Sequence, residues 1–241
     1  MRMKISLRGV CKSFLDDSAL KDIDLDIESG QLIAIVGTNG AGKTTILKTL
    51  STLLCTDDGE IRMDGELLTH RRIDLRARLH FLDESPVLLG PVIDHICRVV
   101  HLYDRELPGL KEKIVAWLRE FELLEVANRL GLSRGQKYKA AFVGLCAANP
   151  ELWLLDEPFA AGVDPTGISA MKRAINKAVG AGSTVMYSTQ IVELAESFSD
   201  RVLVMNRGKI ELDIPTKQLQ EAQHDNALAR LFENLRVANR K

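Results

Sequence analysis

Nine residues, Gly37 to Thr45 reading GTNGAGKTT, constrain the fold more than any other stretch of the chain. They match GxxxxGK[ST] through Gly37, Gly42, Lys43 and Thr44. Before them runs QLIAIV, apolar and short enough for a strand buried on both faces; after them comes the helical TTILKTLSTLL. Strand, glycine turn and helix in that order make a phosphate cradle. The backbone of Thr38, Asn39, Gly40 and Ala41 can curl around an anion, and the N–H groups of the helix's first turn, Thr45 included, point at it. Lys43 is placed to bridge β- and γ-phosphates, and the Thr44 hydroxyl to ligate Mg²⁺. Kinases, GTPases and motor ATPases share this pattern, so the reaction has to be read elsewhere.

A second motif supplies acid–base chemistry. ELWLLDEP, residues 151 to 158, sets Asp156 and Glu157 at the end of a buried strand, where open α/β sheets bind ligands. Asp156 is expected to serve Mg²⁺ directly or through water, and Glu157 to polarise the attacking water. STVMYS, ending at Ser188, predicts another buried strand, with a helix around Ile168 to Val179 between the two, as in βαβ units. RVLVM and KIEL flank Asn206-Arg207-Gly208 as a hairpin, and Met3 to Ile27 alternates as an antiparallel layer. From about Pro86 to Asn128 the period turns helical, which predicts an insertion.

The expected fold is an α/β P-loop core with a parallel sheet, an N-terminal antiparallel β-layer and an inserted α-helical subdomain. One domain of 241 residues divides into core (1–82 and 136–212), helical insertion (about 83–135) and helical tail (213–241). The tail places Leu228, Leu231, Phe232 and Leu235 on one face, for packing on its own domain or against a partner.

Composition narrows the partners. Lys and Arg total 32 against 33 Asp and Glu, a net charge of -1, so no nucleic-acid partner is expected. Cys11, Cys55, Cys97 and Cys146 form no CxxC pair, which argues against zinc or disulfides and for a reducing, cytoplasmic setting. MRMKISLRGV has no continuous apolar stretch, so neither a signal peptide nor a spanning helix is expected, and membrane work would need another chain.

Between the two nucleotide motifs lies LSRGQ, Leu132 to Gln136, opening a helix. With GTNGAGKTT before it and LLDEP after it, the chain resembles the ATP-binding subunits of ABC transporters over nearly all of residues 3 to 212, and most of all those of ABC-2-type exporters. The family pattern is LSGGQ; Arg134 stands at its third position. The resemblance implies that Ser133, Arg134, Gly135 and Gln136 of one subunit reach the γ-phosphate held by a second, so that ATP closes a dimer. It implies that Phe14 stacks on adenine, although an aromatic near a strand end also reads as core. It places Asp164, after FAAG and Val163, in an interface loop. Arg134, a full cation near that phosphate, is expected to strengthen closure.

Two departures bear on catalysis. Where the family has a metal-touching glutamine, HFLDESP places Glu84, with Asp83 the one-residue alternative; a carboxylate oxygen can still ligate Mg²⁺. Where it has a phosphate-sensing histidine, YSTQ places Gln190, which donates a hydrogen bond but relays no proton. Slow ATP hydrolysis using Lys43, Glu157 and Gln190 is therefore expected. The implied protein is the engine of an exporter, peripheral to the inner face of the membrane, with a transmembrane permease subunit and a second ATPase subunit. A catalytically weak ATP clamp and a soluble, non-transport ABC ATPase are the alternatives.

Overall fold

In the computed structural model, residues 3–15, 17–103, 109–129, 131–160 and 162–221 are described. Alternation in β1 (Lys4–Phe14) and β2 (Asp17–Glu28) sends Ile5, Leu7, Ile23, Leu25 and Ile27 to one face, and the two strands pair antiparallel. The buried run becomes β3 (Leu32–Gly37), which feeds the glycine turn and α1 (Lys43–Leu50). Then come β4 (Asp58–Met63), β5 (Glu66–Leu67), the single turn α2 (Ile73–Arg76) and β6 (Leu79–Leu82). Strand β4 was not legible beforehand, because only Ile61 and Met63 of its residues reach the core.

The helical stretch folds as α3 (Val92–Leu102), α4 (Leu110–Glu120) and a 3-10 turn at Leu124–Val126. Next come α5 (Arg134–Ala148), β7 (Leu152–Leu155), α6 (Pro165–Gly180), β8 (Thr184–Thr189) and α7 (Val192–Phe198). The described chain ends with β9 (Arg201–Asn206), β10 (Lys209–Pro215) and α8 (Thr216–Glu221). The division expected between 135 and 136 falls inside the first turn of α5. Leu228, Leu231, Phe232 and Leu235 lie outside the described residues.

Two sheets result. One is four-stranded, β2-β1-β4-β5, and antiparallel; the other is six-stranded, β10-β9-β3-β8-β7-β6, parallel except for β10 at its edge. The strands of the second sheet serve two cores by turns. In β3, Ile33 and Ile35 face the antiparallel layer and α1, while Ala34 and Val36 face the helices. In β7, Leu152 and Leu154 take the first side, and Trp153 and Leu155 the second. Burial on both faces is what a continuous apolar run requires.

Helix α5 joins the inserted helices to the sheet. It is buried almost all round, and its Gly144 faces the Val99 side chain of α3. Phe142 continues an aromatic chain from Phe121 to Trp153, with ring centroids 5.7 and 5.9 Å apart, the latter pair edge to face. At the far edge, Arg207 and Gly208 (φ 46° and 81°) make the two-residue turn of the β9–β10 hairpin. The Gly208 N–H donates to the Ala41 carbonyl at 3.0 Å, so this turn buttresses the glycine loop.

The Tyr138 hydroxyl, on the buried face of α5, has no hydrogen-bond partner among the described residues. An orphaned buried hydroxyl costs about 1–3 kcal/mol, so Tyr138→Phe is expected to be neutral or stabilising in urea denaturation. Phe142→Ala, which empties the middle of the aromatic chain, should cost about 3–5 kcal/mol in the same measurement.

Candidate functional site

The carboxyl ends of β3, β6, β7 and β8 converge, and each carries one piece of the site. From β3 comes the loop. Gly42 caps α1 with φ 104°, and a Cβ there would lie 2.5 Å from the Ala19 carbonyl, so glycine alone fits. No side chain caps α1, which leaves the N–H groups of its first turn facing outward for an anion. Lys43 is 7% exposed. Its Nζ donates to the Gly37 and Thr38 carbonyls at 2.9 and 3.2 Å and lies 3.6 Å from Glu157 Oε1. Burial holds the Lys43 pKa below its ordinary value, against the pull of Glu157 and Asp156.

From β7 come the two carboxylates. Asp156 is buried and accepts the Thr44 hydroxyl, at 2.9 and 3.1 Å to its two oxygens, and the Ser188 hydroxyl at 2.6 Å. Ser188, at the end of β8, accepts in turn from the Glu157 N–H at 2.8 Å. That bond fixes Glu157 in the left-handed region, φ 45°, a conformation that costs a non-glycine residue about 1–3 kcal/mol. Burial raises the Glu157 pKa; Lys43, then Gln190, oppose it, and Asp156 and Glu84 add to it. Gln190 Nε2 stands 3.5 Å from Glu157 Oε1, at the outer limit of a hydrogen bond.

These groups open into a cavity of about 510 Å³ lined by Phe14, residues 39–45, Glu84, Glu157 and Gln190. Phe14 is nearly half exposed, so it is not a core aromatic, and its ring lines this cavity. Of the two carboxylates after β6, only Glu84 lines it; Asp83 instead pairs with Lys48 at 3.3 Å. Asp17 and Ala160 also line it and were not anticipated. Ser188 was missed as well, although a serine inside the buried STVMYS run signals a polar partner. A buried ammonium, an uncapped helix N-terminus and a cavity of this size fit a nucleoside triphosphate. Thr44 and Asp156 are hard oxygen donors already held together, which fits Mg²⁺, an ion that takes few protein ligands and keeps waters and phosphate oxygens. Among the described residues no three His, Cys, Asp or Glu side chains cluster as a metal cage.

The signature residues gather in a second patch. Ser133 caps α5, accepting from the Gln136 N–H at 3.2 Å, while the Ser133 N–H donates to Gln136 Oε1 at 3.0 Å. Gly135 lies so close to Gly162 that a Cβ would sit 2.3 Å from its carbonyl oxygen. Asp164 caps α6, accepting from the Gly167 N–H at 2.7 Å and from Lys139 Nζ at 2.8 Å. Ser133, Gly135, Gln136 and Asp164 do not line the cavity of their own chain. Arg134 leaves this patch and pairs with Glu84.

A glycine loop with a buried lysine, a threonine bonded to a strand-end aspartate, and a Ser-capped LSRGQ helix thus share one chain. The sequence profile of the ABC transporter family matches residues 20–160. The chain belongs to that family. It is 25% identical to the ABC-type transporter ATP-binding protein EcsA of Bacillus subtilis over 95% of this chain and 94% of EcsA. It is 34% identical to the sulfate/thiosulfate import ATP-binding protein CysA of Methylococcus capsulatus, over 87% of this chain and 62% of that protein. A dimeric ATP-binding cassette solved in a post-hydrolysis state with ADP and Pi superposes with a TM-score of 0.76 at 23% identity, covering 88% of this chain and 98% of that one. The chain is thus an ATP-binding subunit of the ABC type and, as a member of that family, an ATPase. Among the described residues, no helix is long and apolar enough to cross a membrane.

The raised Glu157 pKa gives a sign to stability against pH. Folding disfavours the charged form, so its cost is absent below the ordinary glutamate range, grows as pH rises to the folded pKa, and stays constant above it. Glu157→Gln should therefore melt at a higher temperature than the parent at pH 8 without nucleotide, the gap closing toward pH 4 in differential scanning calorimetry.

Proposed function

We propose that this subunit powers an exporter of the ABC-2 type by closing on ATP as a head-to-tail dimer, each cavity being completed by Ser133, Gly135 and Gln136 of the neighbour. The observation that carries this reading is the separation of the two patches. Each chain bears a phosphate cradle and a signature helix tip, and Ser133, Gly135 and Gln136 of the tip do not line the cradle beside them, which the tip reaches through the Arg134–Glu84 pair. The Ser133 hydroxyl already accepts from Gln136, so its proton is left to donate outward. A serine donor, glycine N–H groups and a helix N-terminus offer positive dipole to a phosphate without a mobile charge.

In this reading Phe14 stacks on adenine, Lys43 leaves Glu157 for the β- and γ-phosphates, and residues 39–45 supply backbone N–H groups. Freed from Lys43, Glu157 orients and deprotonates the attacking water. Its raised pKa suits that task, because a base works best with a pKa near ambient pH. Thr44 and Asp156 would hold Mg²⁺, with Glu84 as a further oxygen ligand; the bound ion would neutralise charge on the phosphates. Gln190 donates to the phosphate or the water. Glu84 and the helices after it face a transmembrane permease subunit, and Asp164 lies at the dimer seam. CysA, named for sulfate and thiosulfate import, and EcsA, named without a direction, both resemble this chain. Export rests on the likeness of LSRGQ and DEPFAAGVDP to exporter ATPases.

Gln190 favours a second reading, an ATP clamp with negligible turnover. A single-turnover assay separates them: phosphate released from a stoichiometric complex supports the engine, and ATP recovered intact supports the clamp. Lys43→Ala should lose ATP binding. Glu157→Gln should bind Mg·ATP, release no phosphate and sediment as a dimer; a monomer under those conditions sinks the dimer reading. Losing one preorganised donor costs ~10²–10³ in rate, so Gln190→His should raise kcat by up to ~10²-fold.

A further inference from the structure

The cavity holds a carboxylate that an anion site does not call for. Glu84 lines it together with Asp17 and Glu157, while its buried cation, Lys43, is already faced by Glu157. A triphosphate entering there meets like charge. With no counter-ion, one extra carboxylate at that range weakens binding by ~3–10-fold at low salt. Yet Glu84 does have a counter-ion. Its Oε1 accepts from Nη2 of Arg134, fifty residues further on and the first residue of α5. Both side chains are about half exposed, so the pair contributes little to folding stability. What it changes is the charge that the phosphate meets.

We propose that Arg134 is the in-chain counter-ion of Glu84, a positioning residue that makes a carboxylate compatible with the triphosphate cavity and ties that cavity to the tip of α5 in the same chain. The inference rests on the ATP-binding reading above. Because the α5 tip of one chain serves the neighbour's cavity in the proposed dimer, the ion pair is a direct link between two nucleotide sites. It also separates two roles for Arg134. A guanidinium that reaches the neighbour's phosphate acts on nucleotide whatever stands at position 84; a counter-ion acts only while Glu84 carries its charge.

A double-mutant cycle decides between them. Binding of radiolabelled ATP is measured by equilibrium dialysis in EDTA at low ionic strength, so that no metal engages Glu84. The full chain is compared with Arg134→Gly, Glu84→Gln and the double variant. Arg134→Gly should weaken binding ~3–10-fold, and raising the salt should shrink the deficit. Arg134→Gln, which keeps helix propensity, should behave the same way. The double variant should bind as Glu84→Gln does, with no further loss. An equal loss from Arg134→Gly in both backgrounds, or no loss in either, overturns the inference. If the full chain binds ATP neither in EDTA nor with Mg²⁺ restored, the proposed function itself fails, and this inference with it; binding only with Mg²⁺ overturns this inference alone.

Discussion

Everything at the site turns on the carboxylate of Asp156. It accepts hydrogen bonds from the hydroxyls of Thr44 in α1 and Ser188 in β8 while its own N–H, just past β7, donates to the Leu82 carbonyl of β6. Three segments far apart in sequence are thereby pinned at one point, and the geometry of the reactive groups follows. Ser188 accepts from the Glu157 N–H as its hydroxyl donates to Asp156, so the strained turn at Glu157 is held by the same cluster. Burying a charge is tolerated only where it is fully hydrogen-bonded, and here the bonds that satisfy Asp156 are the ones that assemble the site.

The second organising pressure is electrostatic. Lys43 and Glu157 lie 3.6 Å apart with almost no solvent, and burial shifts each toward its neutral form, Lys43 downward and Glu157 upward. A pair under that pressure is poised for exchange. In the proposed function a phosphate is a better partner for the ammonium than one carboxylate, and its arrival would release Glu157 to act on water. On that proposal the Lys43–Glu157 contact is one that the phosphate would open.

How much of this was legible depended on whether a residue's role is local or distant. The cradle was readable because strand, glycine turn and lysine are contiguous, and the backbone geometry they require at Gly42 is local. The parallel strands were readable because burial on both faces leaves uninterrupted apolar runs such as LIAIV. Strand β4 was not, since two inward residues in DGEIRM make no periodic signal. Nor was the role of Ser188 evident, because its partners lie in other elements. Ser133 shows the overlap of two meanings: a Ser-x-x-Gln capping box and the proposed phosphate-reading signature would use the same atoms, and the box is formed here.

Glu84 and Arg134 are the sharpest instance of the same limit. Taken singly, one reads as a substitute metal ligand and the other as an extra cation for phosphate, each a departure needing its own account. The structure joins them, and each then supplies the reason for the other. An acid beside the triphosphate is admissible because a base neutralises it. An arginine at the tip of α5 is admissible because, held at Glu84, it leaves the Ser133, Gly135 and Gln136 patch to the neutral dipoles on which the proposed phosphate recognition would depend. Charge compensation across fifty residues leaves no trace in any local pattern, yet it sets the net charge that an incoming nucleotide meets.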